Sequence, residues 1–387
     1  MLIELHLLTP HAPANLNRDD FGRPKTAYFG GTERGRISSQ ALKRAIRKSP
    51  YVAQRLGDKI STRSLHIPLM IYESLKGDYE GDAEKLERLG IVCEAVANGL
   101  GKAEKINKDD EFALKTSQIV FLTKGEIARL TQFVRETVES DRKLTKSAIK
   151  DLSKTVAAES GINERPTDGV DVALFGRMTT DEANAFKAVD AAMQVAHPIA
   201  THTTITETDY FTAVDDWKQD REAESEAETR GSGHIGELDF NSAVYYKYFS
   251  CDFDLLVQNL GGDRDAAVEA LEVVFDAACR VSPSGKQNSF ASHSPAEAAL
   301  LVIREAKTPC SLAAAFEAPV PATEDGYVAE SIRRMLRRYD RLVTAYELDD
   351  RAAAFVLEGD LPGGPYERAE KLSDLWAFLR NHTNATV

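Results

Sequence analysis

The segment 36–49, RISSQALKRAIRKS, combines hydroxyl, amide and cationic side chains at a spacing that could hold an anion. Read as a helix, Ala41, Leu42, Ala45 and Ile46 form an apolar stripe. Lys43/Arg47 and Arg44/Lys48 then pair at i,i+4 on the side expected to face solvent. Like charges at that spacing disfavour a helix, and cations near its start oppose the macrodipole. A phosphate held by free N–H groups, the hydroxyls of Ser38 and Ser39, Gln40 and the cations would offset both penalties. The competing reading is a solvated basic face. A second cationic set, Arg142, Lys146, Lys150 and Lys154, recurs every four residues, with Lys143 beside it, and Leu144, Ala148, Leu152 and Val156 run opposite. That pattern predicts one amphipathic helix with a basic stripe, either a nucleic-acid contact or a solvated face.

Catalytic patterns are missing from the sequence. Its eight histidines share no metal-ligand spacing, and there is no P-loop lysine, G-x-S-x-G or H-E-x-x-H. Cys93, Cys251, Cys279 and Cys310 are scattered and form no C-x-x-C pair, which suggests reduced thiols in a cytoplasm and no metal or other cofactor. The start, MLIELHLL, lacks the charged region of a signal peptide, and no apolar run is long enough to span a membrane.

These side chains need elements to hold them. Ile3, Leu5 and Leu7 alternate with Glu4 and His6, predicting a first strand over 2–8, followed by a long polar loop ending at Gly30-Gly31. Ser38 or Ser39 can cap a helix reaching about Lys48. Residues 59–165 read as mostly helical, with Leu86, Leu89, Cys93 and Val96 at helical spacing and a Thr123/Glu126 capping box. Strands are expected over 199–214, 240–249 and 300–303, and a helix capped by Asp263. The last 60 residues read as helical. This order predicts an α+β fold, an RRM-like (ferredoxin-like) sheet interrupted by a helical insertion.

The formal net charge of −13 argues at first against a nucleic-acid partner, but the charge is segregated. Residues 1–50 carry nine cations against four anions, whereas 207–228 carry nine carboxylates against Lys218 and Arg221. Clustered cations on an acidic chain can still bind a polyanion.

The blocks LNRDD (16–20), FGG (29–31), RISSQALKRAIRKS, GVDVALFGRM (169–178), VDAAM (189–193), AHPIATH (196–202), DYFTAVDD (209–216), GSGHIG (231–236) and NLGG (259–262) resemble, in order, those of the CasC family. That family supplies the backbone subunit of the type I-E CRISPR Cascade surveillance complex. The resemblance implies a hand of three parts. Residues 1–58 and 166–387 would form an RRM-like palm, 59–165 helical fingers, and 197–241 a β-hairpin thumb within the palm. It also implies partners: CRISPR RNA, target DNA, further copies of the chain in a helical filament, and the subunits CasA, CasB, CasD and CasE. By position, Arg18, Lys25, Ser38, Gln40, Lys43 and Arg47 match RNA-backbone contacts, and Met178 matches an apolar wedge beside a displaced base. Ser39, Arg44 and Lys48 join this RNA set from their own segment, and Arg177, Thr201 and His202 from the matching blocks. Arg142, Lys143, Lys146, Lys150 and Lys154 fall where the family's fingers meet target DNA.

Two other classes stay open at this level. One is a related endoribonuclease, for which His11 and His202 are the histidines to consider. The other is a general single-strand RNA-binding protein.

Overall fold

A computed structural model describes residues 1–162, 167–178, 187–213 and 234–383. The chain divides into two compact units, one of Met1–Ser49, Val195–Ser250 and Val274–Val387, the other of Pro50–Gln194 and Cys251–Val273. Of the acidic segment 207–228, residues 214–228 lie outside the described residues.

The first unit is built on a mixed sheet. Its strands include β1 (Leu2–Ala14), β4 (Glu207–Ala213), β5 (His234–Asp252), β6 (Ala298–Arg304), β7 (Asp350–Val356) and β8 (Glu367–Ala369), and two short strands also pair with β5. A separate hairpin, β2 (Thr26–Phe29) and β3 (Thr32–Gly35), precedes helix α1 (Ser39–Arg47). The sheet order is β4-β5-β1-β6-β7-β8. β1 pairs antiparallel to β6 with Leu5 opposite Leu301, β6 antiparallel to β7, and β7 parallel to β8. Helix Val328–Ala345 covers one face, where Ile332, Met335 and Leu336 join Tyr246, Leu300 and Ala354 in one apolar cluster. On the other face Phe249 meets Phe275 edge-on, with ring centroids 6.2 Å apart. The α+β class with a central sheet is as the sequence predicts.

Three local readings differ. β1 runs on through Pro10 and Pro13 to Ala14, where a loop is expected from the prolines. Its polar face is buried as well, because charge there is matched by charge. Glu4 accepts a hydrogen bond from Arg304 at 3.0 Å, and Arg304 also grips Asp350 at 2.6 Å. Finally, the C-terminal residues contribute the strands β7 and β8 besides two helices. β7 reads AAAF at its centre, and alanine carries no strand signal of its own.

The second unit is helical around one core. Helices α2 (Ala83–Leu100), α3 (Lys124–Glu139) and α4 (Ile149–Ser160) pack Leu89, Cys93, Val96, Leu130, Val134, Leu152 and Val156 together with Ile67 and Ile71. α3 starts with the expected capping box: Glu126 N–H donates to the Thr123 hydroxyl at 3.1 Å, and Thr123 N–H donates to the Glu126 carboxylate at 2.8 Å. No helix among the described residues is long and apolar enough to cross a membrane.

Candidate nucleic-acid interface

α1 is short and its start is firmly set. Ser38 is the N-cap, and its hydroxyl accepts a hydrogen bond from Ala41 N–H at 3.2 Å. Ser38 N–H donates to the Asn17 side chain at 2.8 Å, tying α1 to the loop that precedes β2. In that loop Lys25 N–H donates to Asn17 O, and Arg36 N–H donates to Lys25 O. Arg18 and Pro24 form a β-bridge. Arg18, Lys25 and the first turn of α1 are thus held together by a chain of short hydrogen bonds. Leu42 and Ile46 are buried, which fixes the face α1 turns outward.

That outward face carries Gln40, Arg44 and Lys48, all exposed, with Lys43 half-buried. Arg47 corrects the sequence reading, which put it on the exposed side: it is only 5% exposed. A nine-residue helix has room for one buried stripe, and Arg47 sits one position from Ile46 at its edge. Ser38 and Ser39 are buried too, Ser38 with its hydroxyl engaged in the cap.

Positive charge gathers around the same corner. The Arg36 guanidinium lies 2.8 Å from His197 Nδ1 and donates to Thr26 O at 3.2 Å. Partial burial first, then the nearby charges of Arg36 and Lys25, hold the His197 pKa below its ordinary value. Arg36 and Asn17 were missed as candidates; neither fits a helical charge pattern. Phe21 lies on the same loop. It is 89% exposed on a turn fixed by Asp19, whose carboxylate accepts from Phe21 N–H and Arg23 N–H at 2.9 Å each.

The hairpin turn at Gly30-Gly31 holds this corner against the body of the unit. Both glycines have positive φ, and a Cβ on Gly30 would fall 1.6 Å from Glu317 O. Arg34 is fully buried beneath it, donating to Ala200 O, Phe316 O and Glu317 O at 3.0–3.1 Å.

Other predicted contacts turn inward. Thr201 is fully buried and its hydroxyl accepts from Ser331 at 2.9 Å. His202 stacks on Tyr327 at 3.7 Å between ring centroids, while its Nε2 accepts from Val244 N–H. Arg177 is 4% exposed and forms a buried ion pair with Glu126 at 2.8 Å. These three side chains are turned to the interior, not to the exposed face expected of RNA contacts. Met178 next to Arg177 is 84% exposed.

The basic stripe of 142–154 is corrected outright. Arg142 and Lys143 precede the helical residues, Lys146 sits in a 3₁₀ turn, and only Lys150 and Lys154 lie on α4. Three of these cations are paired: Arg142 with Glu159, Lys146 with Glu111, and Lys154 with Asp151. Lys143 and Lys150 are exposed and have no partner among the described residues.

The histidines considered for acid–base work do not reach solvent. His11 is 3% exposed, and burial first, with Lys247 next, lowers its pKa to about 3. Burial likewise lowers that of His202. No cluster able to hold a metal ion occurs among the described residues.

Residues 3–376 match the profile of a protein family described as CT1975-like protein. The chain belongs to that family. The match agrees with the CasC resemblance read from the sequence blocks. A solved structure described as "CRISPR RNA-guided surveillance complex, pre-nicking" contains a chain 28% identical to this one, with all of both chains covered and a TM-score of 0.80. Another, described as "CRISPR RNA-guided surveillance complex", is 22% identical, covers 98% of this chain and 99% of its own, and has a TM-score of 0.60; it speaks for the fold alone. No curated protein matches the chain.

Proposed function

We propose that this chain is a non-catalytic, CRISPR RNA-binding backbone subunit of a Cascade-type surveillance complex, acting in the cytoplasm in antiviral defence. Copies polymerise along the guide spacer and present it for pairing with target DNA, beside CasA, CasB, CasD and CasE. In this reading the main sheet is an RRM-like palm, residues 59–165 are the fingers, and 197–241 form the thumb.

The observation that carries the reading is the corner at α1, in a chain of this family. A capped helix start, exposed Gln40, Arg44 and Lys48, and the bound loop with Arg18 and Lys25 can grip a phosphate backbone. Phosphate contacts of this kind carry no sequence information, which suits a protein that must accept any guide and leave recognition to base pairing. The buried Tyr246 and Tyr248 agree, since their rings are packed in the sheet and cannot stack on bases as RRM aromatics do. Lys143 and Lys150 remain as contacts to target DNA, and Met178 as the wedge.

Incubating the purified protein with CRISPR RNA in EDTA tests the reading. Intact RNA in a ladder of complexes is the expected result. Discrete cutting would replace the scaffold with the endoribonuclease.

A further inference from the structure

Helix Val328–Ala345 carries Arg333, Arg334, Arg337, Arg338 and Arg341, five arginines in nine residues of an acidic chain. Its buried face is Ser331, Ile332, Met335, Leu336 and Tyr339, so the arginines fall on the outside. Arg333 and Arg334 are tied to Glu330 at 3.0 and 2.9 Å. Arg337, Arg338 and Arg341 are exposed and have no partner among the described residues. Within one helical turn, about 6 Å of axis, three guanidiniums face solvent unneutralised.

The arrangement is costly in isolation. Arg333/Arg337, Arg334/Arg338 and Arg337/Arg341 are like-charge i,i+4 pairs, each disfavouring the helix by a few tenths of a kcal/mol. An anionic partner would reverse that sign. All five are arginine, whose planar fork suits phosphate oxygens better than the point charge of lysine. A cavity of about 330 Å³ opens beside the helix, lined by Arg333, Arg334, Arg337, Glu330, Asp340 and Pro362. No large apolar residue is exposed between Val328 and Ala345. Protein-docking surfaces have an apolar centre depleted of charge, whereas nucleic-acid surfaces are polar and strongly positive.

We propose that this arginine face binds the phosphate backbone of duplex DNA without regard to sequence. The choice of duplex rests on the guide-RNA reading: a guide-loaded protein must hold DNA before any pairing begins, and phosphate contacts supply such holding. The face is separate from the α1 corner in sequence and in chemistry, arginine alone against a mixed capped helix start.

The test measures binding of the full chain to a short duplex unrelated to any guide, as a function of salt. Arg337→Gln with Arg338→Gln and Arg341→Gln keeps a helix-forming stem and removes three charges. The slope of log affinity against log salt should flatten by about 2.7, at about 0.9 per phosphate contact. Guide-RNA binding should not change, and the corresponding triple lysine variant should keep most of the slope. An unchanged duplex slope overturns the proposal. So does equal loss of RNA and duplex binding, which would assign the face to the RNA path. Intact duplex binding with weakened association between copies would make it a protein-docking face. Because the duplex is measured without guide RNA, failure of the guide-RNA reading leaves this result legible.

Discussion

The segments 36–49 and 142–154 carry the same sequence pattern, cations every four residues against an apolar stripe, and fold differently. The first becomes one helix whose start is fixed by Ser38 and Asn17. The second breaks into an extended piece, a 3₁₀ turn and a helix starting at Ile149, which has no side-chain cap at Ala148. Periodicity proposes a face, but a cap decides where the helix begins and hence which residues share that face. The second difference is electrostatic. Among the described residues, carboxylates answer Arg142, Lys146 and Lys154, while Arg44 and Lys48 stand exposed on α1 without one. Exposed pairs of this sort stabilise by well under about 1 kcal/mol, yet each would have to be broken before its cation met a phosphate.

The sharpest contrast is between buried and exposed cations, and the largest effect belongs to Arg177. Arg177→Met leaves Glu126 buried and unpaired, and should cost about 3–5 kcal/mol in a denaturant melt. A contact to RNA would instead lose binding with stability intact. Next is Lys247, which is fully buried in β5 with no hydrogen-bond partner among the described residues. Burial lowers its pKa to about 8. Below that pH the folded and unfolded states are both protonated, and folding bears the full cost of burying the charge, on the order of 3 kcal/mol. Between pH 8 and about 10.5 the unfolded chain still holds the proton that the folded one has released, so stability should rise with pH. Lys247→Met should raise stability at pH 7 and flatten that rise; an unchanged pH profile would show that the ammonium is solvated in the fold.

Smaller effects divide α1 from 142–154 directly. Arg47→Ala should cost about 2 kcal/mol, in the range for loss of a buried side chain, whereas Lys150→Ala should stay within about 0.5. Thermal melts of the two variants, side by side, check both. Equal losses would mean that Arg47 is no more committed to the interior than a surface lysine.

Much of this was readable from residues alone, where the signal is local. The Ser38 cap, the Thr123/Glu126 box and the Asp263 cap follow from side chains within three positions of the N–H groups they satisfy, and each is present. What could not be read depends on partners far away in sequence. Glu4 looks like a solvent-facing residue until Arg304 is placed against it. Arg177 looks like an RNA contact until Glu126 is. Arg36 falls outside every helical pattern, and only the fold brings it to His197. The arginines of 328–345 were in plain view, but with no motif around them the sequence offered nothing that separated them from an ordinary surface helix.

The central claim is that α1 holds RNA by phosphates and nothing else. Arg44→Ala with Lys48→Ala removes the two exposed cations from its outer side. RNA binding from about 50 to 300 mM salt, on two guides of unrelated sequence, should show the slope flattened by about 1.4, at about 0.7 per contact for a single strand. The loss should be the same on both guides, because phosphates carry no sequence information. An unchanged slope, or a defect confined to one guide, would contradict the account and remove α1 from the RNA site.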